Sequence, residues 1–486
     1  MNPLKKLFKQ TFVYGLATVL PRMLSFILVP IYTEVMETEL YGEVSVIFAW
    51  FAIFNVILAY GMETAFFRFY HKSDHKNKVV STSLISILVS TLVFLILGLM
   101  LQNQLATFTA IDPKYISYAI YILVLDALVI IPFAWLRANE KPMHYALVKI
   151  TNVALYLGLN IFFLIYLPQI VNINPESVFQ GFYRTDFQIS YIFISNLIAS
   201  GVTLLMMLRL YLKSTYEFDK ALWGQMMKYA MPVLIAGIAF TINEVFDKIL
   251  LERLLPADIA ESEVGKYAAC YKLALFMTLF ATAFRMGIEP FFFSHSDSKN
   301  PQKAYAQITN YFVILGSVIL LAVVVFADVL KLIFIQDESY WDAMEVVPLI
   351  ILANFFLGIY HNLSVWYKVT DKTRYGALIS VVGAVITIFV NILCIPYFSY
   401  MASAVATLLA YGTMMFLSYY IGKKKYPVPY NLRKIGFYLS VSILFSILSF
   451  YVFERNLITG SILLAIFMVV LYKLENEKLR QLFIKK

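Results

Sequence analysis

Long apolar blocks, separated by short polar connections, run through the whole 486-residue chain. Most blocks are long enough for an α-helix to cross a bilayer, which takes about 20 residues. Transmembrane strands would show short alternating segments, so these continuous runs favour helices. The pattern predicts about fourteen membrane-spanning helices on this length criterion. They fall near residues 11–34, 42–66, 81–101, 116–136, 144–167, 189–210, 226–251, 264–290, 305–334, 343–366, 376–397, 401–422, 434–453 and 457–473.

The composition supports a membrane protein. Hydrophobic residues make up 61% of the chain and charged residues only 14%, with a mean hydropathy of +0.75. A soluble domain averages about 25% charged residues. We therefore expect an all-α polytopic membrane protein. The basic start MNPLKKLFKQ is not followed by a cleavage-site pattern, so the first span is expected to be retained as an anchor.

Charge in the connections predicts the orientation. With the N-terminus inside, odd-numbered connections such as QDESYWDAME face outward and are acidic, whereas even-numbered ones such as KKKYPVPYNLRK face inward and are basic. Roughly 29 Lys and Arg then lie inside against roughly 5 outside, and this asymmetry places both termini in the cytoplasm. The net charge of +9 is attributed to the basic inward-facing loops and to their contact with anionic lipid headgroups. Nucleic-acid binding is a poorer explanation, because the basic residues are dispersed over many loops and form no single patch.

The chain repeats itself after six helices. The segments that begin at Leu136 and Tyr367 each hold a short basic loop, an Ala-Leu pair and, at the same offset, an Asn-Ile pair that begins at Asn160 or Asn391. Likewise, GMETAFF ends helix 2 and GIEPFFF ends helix 8. Six is an even number, so the two copies share one orientation, as in transporters built from parallel repeats. The predicted organisation is two pseudo-symmetric six-helix bundles, at 1–215 and 216–425, followed by two extra helices at 426–486.

Charged side chains inside the spans predict a polar interior. A charge at membrane depth is costly and usually faces the middle of a bundle or a wet cavity. Helices 3, 5, 6 and 11–14 are expected to be essentially free of charge. Under the repeat, helices 7 and 8 correspond to helices 1 and 2, which concentrates the charge on equivalent helices around a central cavity. The charges in or near spans are Arg22, Glu63, Arg68, Asp126, Glu244, Asp247, Lys248, Lys272, Arg285, Glu289, Asp328 and Lys331.

Some of these charges have a partner at helical spacing and are candidate structural pairs. Residues three or four apart share one face of a helix, where opposite charges neutralise each other. The pairs with this spacing are Glu244 with Lys248, Arg285 with Glu289, and Asp328 with Lys331. Arg22 has no local partner and lies too deep to reach either surface. It is interpreted either as facing a substrate or as paired with Asp126 or Glu63 of another helix.

Prolines within the spans are candidate hinges. Proline removes a backbone hydrogen bond and kinks a helix, so Pro21, Pro30 and Pro232 are expected to allow bending, although membrane helices also tolerate proline without such a role. Cys270 and Cys394 are interpreted as small buried hydrophobes, and no residue spacing indicates a metal site. The sequence shows neither a glycine-rich phosphate loop nor a nucleophile–base constellation, the patterns that would indicate an enzyme.

Four stretches are similar to one known family. They are YGLATVLPRMLSFILVPIYT, YGEVSVIFAWFAIFNVILAYGMETAFFRFY, VGKYAACYKLALF and FVNILCIPYF. With the six-plus-six-plus-two arrangement, they resemble the multidrug/oligosaccharidyl-lipid/polysaccharide (MOP) flippase superfamily, and within it the Wzx-type polysaccharide transporters. The resemblance implies a V-shaped fold with a central cavity in a bacterial inner membrane. It also implies a flippase that moves an undecaprenyl-diphosphate-linked oligosaccharide, a precursor of O-antigen, capsule or exopolysaccharide, by alternating access.

The resemblance also implies roles for individual residues. The cavity cations of the family match Arg22 by position, and Lys248 and Lys272 in the second half, and such cations would bind the diphosphate through charge-assisted hydrogen bonds. The expected coupling or pairing acids are Asp126, Glu63, Glu244 and Asp247. No cofactor is expected except H⁺ or Na⁺ as a coupling ion. The expected partners are the lipid-linked glycan, anionic lipids and polysaccharide polymerase or chain-length proteins.

Three other functions stay open. A cation-coupled multidrug exporter of the same fold would need deep acids, which Asp126 favours and Arg22 disfavours. A lipid II flippase would carry several arginines in this region, whereas the first half has one deep arginine. A membrane-embedded glycan polymerase or transferase would need a large loop with clustered catalytic residues, and the largest outer loop offers only Glu176, Arg184 and Asp186.

Overall fold

Every regular element in the described part of the chain is helical. The computed structural model of the protein describes residues 23, 26–294, 300–370 and 372–484, with the side chains of 289–294 and 477–484 left out. Helices suit a bilayer because each backbone N–H and C=O is bonded within its own segment. The α-helices, numbered in chain order, are α1 Phe26–Val35, α2 Thr38–Ala59, α3 Met62–Lys72, α4 Lys76–Met100, α5 Gln102–Thr109, α6 Pro113–Leu128, α7 Ile130–Ala138, α8 Pro142–Ile161, α9 Leu167–Ile173, α10 Gln188–Lys213, α11 Lys220–Leu254, α12 Ala260–Leu273, α13 Leu275–Ser294, α14 Pro301–Val325, α15 Ala327–Phe334, α16 Val347–Leu363, α17 Val365–Val369, α18 Arg374–Lys425, α19 Leu432–Ile447 and α20 Leu457–Ile484. Short π-helical and 3₁₀ segments are Phe162–Tyr166, Val178–Gly181, Glu338–Val346 and Leu448–Val452.

The all-α membrane class is confirmed, whereas the predicted number of fourteen spans is not. Among the described residues, ten helical segments are long and apolar enough to cross a membrane. The pair α12 and α13, bent by 47° at its junction, makes an eleventh if it is one span. Helix α1 is described from Phe26 onward and is too short to qualify by length.

The longest helix, α18, contains two spans that fold back on each other. Ser399 interrupts it with a positive φ of 46°. The Ser403 hydroxyl donates to Asn391 Oδ1 at 2.7 Å. Twelve residues of straight helix would separate these two residues by about 18 Å, so the chain must reverse between them. The predicted helices at 376–397 and 401–422 are therefore both present within this one segment.

The fourth predicted span is broken at Val129, and Pro132 explains the break. Helix α6 ends at Leu128 and α7 begins at Ile130. Proline has no N–H to donate to the carbonyl four residues earlier, which is that of Leu128. The Tyr211 hydroxyl of α10 donates to this carbonyl oxygen at 2.6 Å. A side chain of a neighbouring helix thus satisfies the group that proline leaves unbonded within the membrane.

The two asparagines of the predicted repeat make matching hydrogen bonds. The Asn160 amide donates to the carbonyl one turn earlier at 2.7 Å, and its Oδ1 accepts from the Tyr32 hydroxyl at 2.9 Å. The Asn391 amide likewise donates one turn back at 2.7 Å, and its Oδ1 accepts from the Ser403 hydroxyl at 2.7 Å. Both side chains are fully buried. Each copy therefore uses its asparagine to tie its helix to a hydroxyl group on a neighbouring span.

Two glycines allow α2 and α12 to cross in direct backbone contact. A Cβ built on Gly42 would lie 1.9 Å from the carbonyl oxygen of Glu261, and one on Gly265 would lie 1.9 Å from that of Thr38. Thr38 and Glu261 each stand four residues before the glycine of their own helix, so the contact is symmetric. Such an approach requires residues without side chains. The symmetry agrees with two related halves, whose boundaries near 215 and 425 stay a prediction.

Candidate functional site

A cavity of about 410 Å³ lies beside the glycine crossing of α2 and α12. Both helices run from the crossing into the cavity, where Ser45 and Phe48 of α2 face Ala268 and Lys272 of α12. Helices α1, α8, α11, α13, α16 and α18 complete the wall. The cavity therefore lies between helices of both predicted halves, next to their backbone contact.

Lys248 of α11 lines this cavity and is neutralised by its neighbour in sequence. Its Nζ lies 3.2 Å from Asp247 Oδ1 and 4.6 Å from the centre of the Tyr271 ring. Asp247 is only 3% exposed and also accepts from the Tyr267 hydroxyl at 2.7 Å. A buried carboxylate requires such partners. Lys248 is thus held at the cavity wall by one ion pair and one aromatic ring.

Lys272 of α12 lines the same cavity and has no ion pair with any described residue. It lies two residues before Ala274, where the chain bends by 47° between α12 and α13. An ammonium group at membrane depth is costly unless it meets an anion or water. Lys272 is therefore the wall group most in need of an anionic ligand among those described.

The described wall is close to neutral in formal charge. Lys248 and Lys272 contribute two positive charges, Glu244 lines the cavity with one negative charge, and Asp247 lies behind Lys248 with another. The expected surplus of cations therefore depends on Arg22, which lies outside the described residues. Of the three expected cavity cations, the structure brings two together.

Aromatic residues make up much of the remaining wall. On the first-half side, the Tyr32 and Tyr156 hydroxyls lie 3.1 Å apart, and Tyr41 stands beside Tyr32. Tyr271 and Tyr411 line the second-half side. Aromatic faces with hydroxyl groups at their edges combine apolar contact with hydrogen bonding. This wall offers flat apolar faces beside two lysine ammonium groups.

Asp126 does not line this cavity. It lies inside the first half, where its Oδ1 accepts from the Ser200 hydroxyl of α10 at 2.8 Å. Lys149 of α8 attracts Asp126 electrostatically but forms no direct ion pair with it, and the Lys149 ammonium lies 4.2 Å from the Phe133 ring centre. Lys149 falls in a span that was expected to be essentially free of charge, so this expectation was wrong for helix 5. An unpaired acid in a span is a signal to search the other spans for a cation, and Lys149 is such a cation.

Glu63 also lies away from the cavity, at the first turn of α3. It forms an ion pair with Arg137, near the end of α7. Neither partner carries a sequence signal for the other, because 74 residues separate them. Both acids proposed as partners of Arg22, Asp126 and Glu63, therefore interact with other cations in the described part of the chain.

The remaining candidate charges are peripheral or outside the described side chains. Asp328 pairs with Lys331 at 2.9 Å, as the spacing predicts, and also with Arg455 at 3.4 Å. The side chain of Glu289 is not described, so the pair predicted for it with Arg285 stays a prediction. Arg68 lies against the Tyr229 ring at 4.4 Å, which joins α3 to α11.

The candidate hinge prolines do not lie at the 47° bend between α12 and α13. Pro21 lies outside the described residues, and Pro30 lies within α1. Helix α11 continues through Pro232 as a single 35-residue helix. The 47° bend instead lies at Ala274, where no proline occurs. The hinge role of the prolines stays a prediction.

Comparison with known proteins identifies the sequence family. The sequence model of the family described as "Polysaccharide biosynthesis protein" matches residues 7–293 of the chain, and that of the family described as "MatE" matches residues 232–393. No curated protein matches the chain.

Three solved structures share the fold. The lipid II flippase MurJ in an inward closed conformation has a TM-score of 0.73 at 15% identity, covering 95% of this chain and 99% of that one. An inward-facing multidrug resistance MATE transporter of the MOP superfamily gives 0.64 at 12% identity, covering 88% and 96%. A MOP superfamily transporter from Pyrococcus furiosus, described as having a binding pocket of reversed polarity, gives 0.60 at 11% identity, covering 86% and 95%. At these identities the likeness shows the fold alone.

Proposed function

The chain belongs to the polysaccharide biosynthesis protein family, and from this premise we propose that it flips an undecaprenyl-diphosphate-linked oligosaccharide across a bacterial inner membrane. The chain is a multi-pass membrane transporter of the MOP superfamily and not an enzyme. The glycan would be a precursor of O-antigen, capsule or exopolysaccharide. Both termini would lie in the cytoplasm, as the charge asymmetry predicts.

One observation carries the proposal. Lys272, without an ion pair among the described residues, and Lys248 line one cavity between the two halves. A diphosphate cannot enter hydrocarbon unaided, and two ammonium groups would replace part of its hydration with charge-assisted hydrogen bonds. Arg22 is proposed as a third cation of this set. The tyrosine-rich wall would contact the sugar rings that adjoin the diphosphate.

The membrane potential would favour outward movement of such a substrate. An inside-negative potential drives an anion outward by about 2.3 kcal/mol per charge per 100 mV. Coupling to H⁺ or Na⁺ remains a proposal, and the acids nearest the cavity, Glu244 and Asp247, are better placed for it than Asp126 or Glu63. Because the chain belongs to this family, polysaccharide polymerase or chain-length proteins are also proposed as partners.

The test is loss of glycan at the cell surface. In cells that lack their own transporter, Lys272→Ala and Arg22→Ala are each expected to abolish surface glycan display at unchanged protein abundance. Lys272→Arg should retain part of it, because the cation remains. Normal display from Lys272→Ala would contradict a role of this cavity in carrying an anionic headgroup.

A second candidate is a cation-coupled multidrug exporter of the same fold. It is favoured by Glu244 in the cavity wall and by the MatE match over residues 232–393. Such an exporter would recognise a cationic drug through an acid, so Lys272→Ala should preserve or improve efflux of a cationic dye. Glu244→Gln should abolish this efflux, and an exporter should not restore glycan display in the first place. The two assays in the same cells therefore separate the two functions.

A further inference from the structure

A second cavity, of about 510 Å³, lies away from the central one at the ends of four helices. Its wall comes from the N-terminal ends of α4 and α8, from α7 and from the C-terminal part of α10. These ends lie together on the face of the molecule where the basic connections occur. The wall also includes Ser214 and Thr215, which open the loop between α10 and α11.

The rim of this cavity is basic. Lys141, His144, Arg209 and Lys213 line it, all four are exposed, and none forms an ion pair with a described residue. The Lys141 ammonium lies 4.3 Å from the centre of the Trp135 ring, which holds it at the rim. The described lining contains no acidic side chain. Three permanent positive charges and one histidine therefore face the same space without a counter-charge.

The backbone adds further donors. Helices α4 and α8 both begin at this cavity, and neither has a side-chain cap at its N-terminus. The first amide groups of an uncapped helix have no intrahelical partner and carry the positive end of the helix dipole. Phosphate groups bind readily in such a place. The helix ends and the basic rim thus favour the same kind of ligand.

The floor of the cavity is apolar. Val80, Pro132, Met206, Met207 and Leu210 form it, beneath the basic rim. A soluble phosphate compound has no apolar part that would cover such a floor. A phospholipid has one, because its glycerol and the first methylenes of its acyl chains continue from the phosphate into apolar surroundings. Basic pockets between transmembrane helices on the cytoplasmic side are suited to anionic lipid headgroups.

We propose that this cavity, formed by α4, α7, α8 and α10, binds the headgroup of an anionic membrane phospholipid. The phosphodiester contacts the rim formed by Lys141, Arg209 and Lys213, and the upper acyl chain lies on the methionine-lined floor. The site is separate from the central cavity and does not depend on which substrate that cavity carries. It selects for negative charge, which a purely apolar lipid-facing surface does not.

The experiment measures lipid binding by the intact chain. Native mass spectrometry in detergent follows the binding of phosphatidylglycerol and of zwitterionic phosphatidylcholine, for the wild type and for the double variant Arg209→Gln/Lys213→Gln. The first phosphatidylglycerol is expected to bind at least tenfold more tightly than phosphatidylcholine to the wild type. This preference should be lost in the double variant.

The matched control removes the same charge elsewhere on the basic face. Lys423→Gln/Lys425→Gln changes two exposed lysines in the last turn of α18, and its lipid preference should stay within twofold of the wild type. An equal loss in both double variants would overturn the proposal, because the effect would then be general attraction to the basic face. Soluble glycerol phosphate that competes as well as the lipid would also overturn it in favour of a soluble ligand. The single variant Lys141→Gln, at a loop position, gives an intermediate loss if the double variant does not fold.

Discussion

Two clusters of charge at membrane depth differ in what surrounds them. In the first half, Asp126 accepts a hydrogen bond from Ser200, and Lys149 attracts it from beyond ion-pair distance. In the second half, Lys248 and Lys272 line a cavity, and only Lys248 has an ion pair with a described residue. An acid that is hydrogen-bonded within the packed helices needs no further ligand, whereas a cation that lines a cavity without an ion pair does. Charge within a span is therefore a sign of function only after its partners have been counted.

The largest effect is expected from removing both cavity cations. Lys248→Gln/Lys272→Gln should lower transport of a lipid-linked diphosphate about 100-fold or more, because each charge-assisted contact contributes about 1.5–3 kcal/mol. Flipping by the full chain in proteoliposomes is the measurement. Lys114→Gln, which changes an exposed lysine paired with Asp112, is the control and should flip at the wild-type rate. Normal flipping by the double variant would contradict the proposal that the cavity cations serve transport whereas the first-half charges do not.

A different kind of loss is expected in the first-half cluster. Lys149→Met should lower the free energy of unfolding by about 2 kcal/mol, less than the loss for a direct buried pair, because it removes the attraction that offsets part of the cost of burying the Asp126 carboxylate. The thermal unfolding midpoint in detergent reports this change. Adding Asp126→Asn should restore most of the stability. Transport per folded molecule should stay near the wild-type value in both variants, and its loss at an unchanged midpoint would assign this cluster to transport.

The partner of Lys248 allows a finer test. Asp247→Asn removes the carboxylate but keeps an acceptor for the Tyr267 hydroxyl, which donates to Asp247 at 2.7 Å. The freed Lys248 should then bind inorganic pyrophosphate about tenfold more tightly, which corresponds to about 1.4 kcal/mol. Isothermal titration calorimetry with the full chain measures this. Weaker binding would mean that Asp247 positions Lys248 for the anion and does not compete with it.

The smallest effect is expected at the periphery. Lys331→Gln should cost less than about 1 kcal/mol of stability, because partly exposed ion pairs contribute little. Arg455 also remains to pair with Asp328 at 3.4 Å. The unfolding midpoint should shift by no more than a few degrees, and flipping should not change. A large loss would place this pair with the first-half cluster and not with ordinary surface charge.

Several features of the fold could be predicted because they are local. The two helices at 376–397 and 401–422 appear within α18, since a span needs only a long apolar run. The Asp328–Lys331 pair also follows from spacing along one helix. The pair of Lys248 with Asp247 does not, because adjacent residues on a helix ordinarily point in different directions. The bend at Ala274 could not be predicted either, because no proline or glycine lies there.

The sequence by itself determined the membrane class, the orientation expected from charge, and the superfamily. Hydropathy accumulates along the chain, and each apolar segment must satisfy its own backbone in the bilayer, so these properties do not depend on which helices touch. Only the tertiary structure decided that Ser200 bonds to Asp126, that Arg137 pairs with Glu63, and that Lys272 has no ion-pair partner in the described part of the chain. Such contacts depend on how each helix is rotated and packed, because each step of one residue along a helix turns the side-chain direction by about 100°.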